Sequence, residues 1–562
     1  MTRRFRARRS AANVPDVCVV GSGPGGALVA DSLAARGHDV VVLEAGPRFD
    51  LEDRMERMRR ALHPGSTFQA VWDMGGPRDA YSTSGEQAYS LNTSRVKGVG
   101  GTSLHWGGMT PRLHPEDFEM RTRYGVGEDW PISYADLEPY YARAEVELGV
   151  AGADSAYAPP RSTEFPLPAH PTSHSDRLFA DAFDALDIEL APVPRAVNSV
   201  PYDGRSGCVG FGTCTPVCPS GAKYDATVHA ERAERRGARI VTEAPVVRLE
   251  HDATGERVTA AVYRTPDGGE HRQRARTFVL ACGAVETARL LLLSTSEVYS
   301  DGLANSSGLV GRYFMEHPYV RLTGYVDEPT APQNVGYSTS FTEQFYQHDR
   351  GPTGSVLVEP SNTAGTPLAT AALVRPSRLG NAVSGRAPGL LGGGRWGDDL
   401  LADLRDEYEG LVAIGAWVEM PPEYDNHVGL DESTTDAAGN PVPDLSFGVG
   451  DAARGTLTES LDLLDGILEE LGATDREAPV TPEDPWYALH HLGTTRMGTD
   501  PETSVVDPNC RTHDLSNLYV SSSSVFVTGG AANPTLTIAA LALRLADHVH
   551  AERTGEKATS AR

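Results

Sequence analysis

Lysine is almost missing from this chain. Lys97, Lys223 and Lys557 are the only three among 50 basic residues, and the acidic residues outnumber them to leave a formal net charge of −26 over 562 residues. A charge of that sign argues against nucleic acid or an anionic membrane as a partner, because both would repel the protein. Excess acid with scarce lysine fits a high-salt cytoplasm, but a GC-rich genome gives the same Arg-for-Lys bias, and composition does not separate the two. Long hydrophobic runs are also missing. Even LTIAALALRLAD, from Leu536 to Asp547, is broken by Arg544, so no stretch approaches the roughly 18 apolar residues that a membrane span needs. The six cysteines are too few for a disulfide scaffold in a chain of this size, and three of them cluster. The opening MTRRFRARRSAANVPD has the basic look of a twin-arginine signal but lacks the apolar segment that should follow. Residues 1–15 therefore read as a disordered basic arm. The expected protein is soluble and cytoplasmic, with export alongside a partner subunit as the alternative.

What is present begins at Val17. VCVVGSGPGG, ALVADSLAARGH and DVVVLEAGPR read as strand, glycine turn, helix, strand. Gly21, Gly23 and Gly26 fill the G-x-G-x-x-G positions, and Glu44 closes the second strand. The first glycine permits the tight turn, the second lets a pyrophosphate approach the backbone, and the third lets helix and strand pack closely. The helix N-terminus then faces the phosphates, and the acid accepts hydrogen bonds from a ribose. This is a dinucleotide site, although Glu44 alone does not separate NAD from FAD. A second glycine-rich stretch, RVKGVGGTSLHWGGMTPRL, includes Gly100 and Gly101 and presents His105 and Trp106, and its position predicts a further cofactor contact.

At 562 residues the chain predicts two connected domains. Residues 16–120, 198–318 and 484–552 form a discontinuous dinucleotide-binding domain, in which Thr277 to Ser294 repeats the strand, turn, helix grammar. Residues 121–197 are a helical and linker segment. Residues 319–483, where strand candidates such as Leu411 to Met420 alternate with polar turns and the Gly-rich GLLGGGRWGDD, form an antiparallel substrate domain. Residues 553–562 are a disordered tail. The expected class is α/β, a Rossmann-like domain carrying an inserted antiparallel sheet.

Taken together, GSGPGG with Glu44, GVGGTSLHWGG, FVLACGAVETARLLL, NSSGLVGRYFMEHP, HHLGTTRMG and GGAANPTLTIAALALRLAD resemble the glucose-methanol-choline (GMC) family of flavin oxidoreductases over nearly the whole chain. The likeness is to its sugar-oxidising branch. It implies FAD, held with contributions from Gly530, Asn533, Pro534 and Thr535. It also implies a histidine that takes the hydroxyl proton of an alcohol while the carbon-bound hydrogen leaves as hydride to flavin N5. A base is needed because an alkoxide expels hydride readily and a neutral alcohol does not. By family position the base is His490, with His491 as its rival. Asn533 takes the second catalytic position and, preceding Pro534, also reads as a helix N-cap.

Ser103 to Trp106 has the S-x-H-W form whose histidine is bonded to the flavin in resembling pyranose oxidases, while many relatives with similar loops bind FAD without a bond. The resemblance thus implies flavin contact for His105, with a covalent link as the alternative.

Cys208, Cys214 and Cys218 stand in a C-x₅-C-x₃-C-P pattern among glycines and prolines. Unlinked thiols, a disulfide with one spare cysteine, and zinc short of a fourth ligand are readings of the residues themselves. The pattern resembles that of bacterial FAD glucose and gluconate dehydrogenases, which implies a [3Fe-4S] cluster and an electron-accepting partner subunit. The overall expectation is oxidation of a ring hydroxyl of a sugar, with O₂ or another acceptor taking the electrons. A flavin or iron-sulfur electron-transfer protein, or a dehydrogenase subunit for a non-sugar alcohol, is the alternative.

Overall fold

In the computed structural model, residues 14–63, 68–330, 337–346, 353–361 and 410–555 are described. The Gly-rich GLLGGGRWGDD, most of the basic arm and most of the tail lie outside them.

Val17–Val20 and Val40–Leu43 are wholly buried four-residue strands, as short β-branched runs must be when both faces are covered by helices. They sit at the middle of a five-stranded parallel sheet in the order Leu518–Val520, Thr277–Leu280, Val17–Val20, Val40–Leu43, Arg239–Val241. The Pro24–Ala35 helix joins the two central strands. Thr277–Leu280 leads straight into the Gly283–Leu293 helix, and an antiparallel meander, Val246–His251, Val258–Arg264 and Glu270–Gln273, lies in between along the chain.

A second sheet is antiparallel, in the order Val356–Pro360, Leu411–Val418, Pro318–Tyr325, Thr474–Val480, with the short Trp486–Tyr487 strand also pairing with Pro318–Tyr325. The expected antiparallel region is therefore present, but it also carries a 20-residue helix, Asp451–Glu470, that strand and turn reading did not anticipate. Gly455 and Gly466 weaken the local helix signal. The helix forms because Leu457, Leu464, Ile467 and Leu468 are buried on one side of it, and it packs on the sheet. The two halves are also stitched together, since Ser82–Ser84 pairs with Pro441–Ser446. At the C-terminus the Thr535–Thr554 helix extends past residue 552, where a disordered tail was expected to begin.

Candidate active site

One cavity of about 1660 Å³ runs from the carboxyl ends of the parallel strands to the face of the antiparallel sheet. Gly21 opens it with φ of +98°, and a Cβ there would lie 2.5 Å from the Ala281 carbonyl oxygen, so only glycine fits this turn. A Cβ on Gly26 would meet the Gly21 oxygen at 2.1 Å, which is the close helix–strand packing the third glycine provides. At Gly23 nothing lies within 4 Å; this is open cavity in front of a helix N-terminus. Glu44 lines the same end, buried, with Oε2 accepting from Ser22 N (3.0 Å) and Oγ (2.6 Å) and Oε1 from Gly46 N (2.9 Å). Ser22, an unassigned "x" of the motif, thus orients the acid. Burial raises the Glu44 pKa, while these donors pull it back.

Gly101, His105 and Trp106 line the cavity's middle, and Gly100 makes the left-handed turn before them. Trp106 is held by its indole N–H on the Tyr224 carbonyl at 2.7 Å. Burial, with the Lys223 ammonium nearby, brings the His105 pKa down to about 4, so the ring is neutral. Lys223 is itself buried. It donates to the carbonyls of Trp106 (2.6 Å), Cys214 (2.6 Å) and Leu104 (3.4 Å), which ties the His105 loop to the cysteine loop.

Asn533, Pro534 and Thr535 reach the cavity at the start of the Thr535–Thr554 helix. The N-cap position falls on Pro534 and no side chain caps the helix, which corrects the N-cap reading of Asn533. Its amide is turned to His490 instead, with Nδ2 3.1 Å from Nε2. Gly530 does not line the cavity; a Cβ there would strike the Tyr346 hydroxyl.

The two neighbouring histidines have different surroundings. His490 Nδ1 lies 2.9 Å from His317 Nδ1. With Asn533 donating to Nε2, that nitrogen is unprotonated and the proton sits on Nδ1, which donates to His317. His317 then carries its own proton on Nε2. The carbonyls of Gly529 and Gly530 face that nitrogen, although no well-formed hydrogen bond reaches it among the described residues. Burial, and then the two neighbouring imidazoles, hold the His490 pKa well below its usual range. His491 is enclosed by Tyr89 and Phe314 and bonds the Tyr89 hydroxyl at 2.9 Å, and burial brings its pKa down to about 3.

Glu316, fully buried, holds the groups behind both histidines, Tyr89 and the His317 backbone. Oε1 accepts from Tyr89 (2.6 Å) and Oε2 from the His317 backbone N–H (2.7 Å), and burial raises its pKa to about 8. The FMEHP stretch contains both Glu316 and His317. Sequence reading noted that motif but gave neither residue a role.

Cys208, Cys214 and Cys218 share one loop; burial raises the Cys214 pKa to about 12, with the other two thiols adding to the rise. Among the described residues, however, no group of three or more His, Cys, Asp or Glu is gathered so as to hold a metal ion. No described helix is long and apolar enough to cross a membrane.

A dinucleotide cavity that ends on a neutral, hydrogen-bonded histidine is the site of a flavin oxidoreductase acting on CH–OH groups. The chain belongs to the GMC oxidoreductase family, whose models match residues 79–319 and 422–542, while residues 19–71 match an NAD(P)-binding Rossmann-like domain. It is 34% identical to the fructose dehydrogenase large subunit of Gluconobacter japonicus, covering 95% of this chain and 97% of that one. It is 30% identical to 2-methyl-1,2-propanediol dehydrogenase of Mycolicibacterium austroafricanum, covering 96% of each. Its fold is similar to that of formate oxidase from Aspergillus oryzae RIB40, with a TM-score of 0.64 at 16% identity over 97% of this chain and 99% of that one.

Proposed function

We propose that the protein oxidises a ring hydroxyl of a sugar or sugar derivative, with His490 as the base. FAD, when bound, supplies the acceptor for the hydride that leaves the carbinol carbon. The residues that would hold it are Gly21, Gly23 and the Pro24–Ala35 N-terminus at the pyrophosphate, Glu44 at the adenosine ribose, and His105, Trp106 and the 533–535 turn further along the cavity. His490 Nε2 takes the hydroxyl proton, and the Nδ1 hydrogen bond to His317 steadies the positive charge that the ring then carries. For this the Asn533 amide turns its N–H from Nε2 to the substrate oxygen, which frees the Nε2 lone pair and stabilises the alkoxide where it forms. Loss of one hydride and one proton leaves the carbonyl product.

The observation that carries this reading is the Asn533–His490–His317 line, because it leaves one basic nitrogen at the cavity wall with its tautomer set. The neutral His105 ring contacts FAD without a bond to it, so acid precipitation should release yellow flavin into the supernatant. Electrons then pass to O₂ or to an electron-accepting partner subunit.

Anaerobic mixing with a sugar panel tests the reading: absorbance near 450 nm should bleach, and His490→Ala should abolish the fast phase. The 30% relative acting on a diol supports a second reading, a non-sugar alcohol, for which propane-1,2-diol would bleach the flavin and sugars would not.

A further inference from the structure

The cavity face of the antiparallel sheet is organised in two cross-strand rows. Tyr319 stands opposite Trp417 on one neighbouring strand and opposite Trp486 on the other, so three aromatic residues form one row. Two residues along, Arg321 and Glu359 both stand opposite Gly415, from either side. Side chains two apart on a strand share a face, so both rows look into the cavity, and all five side chains line it.

Gly415 is what allows this. A Cβ there would sit 1.8 Å from the Tyr319 hydroxyl, so the missing side chain lets the Tyr319 ring lie down across the sheet. The Tyr319 hydroxyl then lies between a guanidinium and a carboxylate whose Cα atoms are two strand spacings, about 10 Å, apart. Tyr319 and Trp417 have ring centroids 4.1 Å apart, and the Trp417 ring is 6.2 Å from that of His490.

The polar row is only partly consumed by the fold. Arg321 Nε is buried with no hydrogen-bond partner, and among the described residues Arg321 enters no ion pair. The Glu359 carboxylate takes the Trp417 indole N–H at 3.0 Å, which fixes both side chains; the Ser338 side chain also bonds it and the Arg195 guanidinium lies near, with no ion pair to it among the described residues. A carboxylate and a guanidinium kept apart beside an aromatic shelf suit a ligand that offers hydroxyl hydrogens to one, hydroxyl oxygens to the other and a C–H face to the shelf. An anionic substrate would meet Glu359, and a cationic one Arg321.

We infer that this face is the subsite that selects a neutral polyhydroxylated ring, Trp417 carrying its apolar face and Glu359 and Arg321 its hydroxyls while a further hydroxyl is presented to His490. The inference rests on the sugar reading above.

The test uses FAD-loaded protein with D-fructose, D-glucose, D-gluconate, D-glucosamine and propane-1,2-diol, reading flavin bleaching anaerobically. For wild type a neutral hexose should half-saturate at the lowest concentration. Glu359→Gln, Arg321→Met and Trp417→Leu should each raise that concentration roughly tenfold while changing the limiting rate by less than about threefold, the signature of lost binding. Trp417→Phe should keep most of the affinity. Flavin content and melting temperature identify any variant that has merely unfolded, and Glu359→Gln, which keeps its shape, then decides. Bleaching by hexoses with half-saturation unchanged in the folded variants overturns the subsite and leaves the sugar reading standing. Preference for gluconate or glucosamine also overturns it. Bleaching by the diol alone overturns the sugar reading itself.

Discussion

His490 and His317 meet through their Nδ1 atoms at 2.9 Å, a contact that only one proton can fill, so each ring fixes the tautomer of the other. Replacing His490 by alanine should leave a yellow, folded protein whose flavin is reduced by substrate roughly 10²-fold more slowly or worse. His317→Phe, which removes the acceptor for the Nδ1 proton, should slow reduction about tenfold, the worth of one hydrogen bond to the base. His491→Ala should cost less than His490→Ala in this step. Stopped-flow reduction showing the reverse order would move the base to His491.

Glu44→Ala should weaken FAD binding by about 1.5–3 kcal/mol if two charge-assisted hydrogen bonds to the ribose are lost. Ser22→Ala should follow in the same direction more weakly, because Ser22 holds Oε2 in place. Titrating apo-protein with FAD measures both, and unchanged affinity for Glu44→Ala would put the ribose elsewhere.

Acid should destabilise the protein through its buried imidazoles. His105 and His317 titrate near 4 and His491 near 3 in the folded chain, against about 6.5 when unfolded. Between these values the unfolded chain binds protons that the folded chain refuses, so stability falls as pH drops from about 6.5 toward 4. Glu316, near 8 when folded, acts in the opposite sense: it favours the folded state at low pH and loses that contribution as pH rises toward 8. Urea midpoints from pH 7.5 to 4.5 should therefore fall less steeply for His491→Gln than for wild type. Parallel curves would refute the assignment.

Lys223→Met should destabilise by about 3 kcal/mol, since it leaves the carbonyls of Trp106 and Cys214 buried without a donor. Lys223→Arg should not rescue it, because a planar fork does not replace a compact ammonium aimed at converging oxygens. FAD release should quicken in both, which stopped-flow dissociation would show. A melting temperature equal to wild type for Lys223→Met would contradict the strut.

The dinucleotide half was legible in the sequence because its signal is local: strand, glycine turn, helix and acid fall within 30 residues, and each part answers to backbone geometry. His490 and Asn533 were legible only through resemblance, and their contact joins residues 43 apart. The His317 contact spans 173 residues, and no spacing rule reaches that far. The aromatic and polar rows were hidden for another reason. They exist only once strand register is set, and register is decided by packing across the whole sheet rather than by any one strand. The Asp451–Glu470 helix was obscured by two glycines whose cost its buried face outweighs.

The order of strands in the parallel sheet also sets a clock. Val17–Val20 is made well before Leu518–Val520, and Thr277–Leu280, its neighbour, gains its other partner only when Leu518–Val520 has been added. At about 5–20 residues per second the first strand waits roughly 25–100 s for that to happen. The flavin pocket is therefore assembled only after Leu518–Val520 has been made, by a chain that has until then carried an open strand edge at Thr277–Leu280. Cofactor capture thus waits on the strand that closes this edge, and until it is added the exposed edge is open to pairing with another chain.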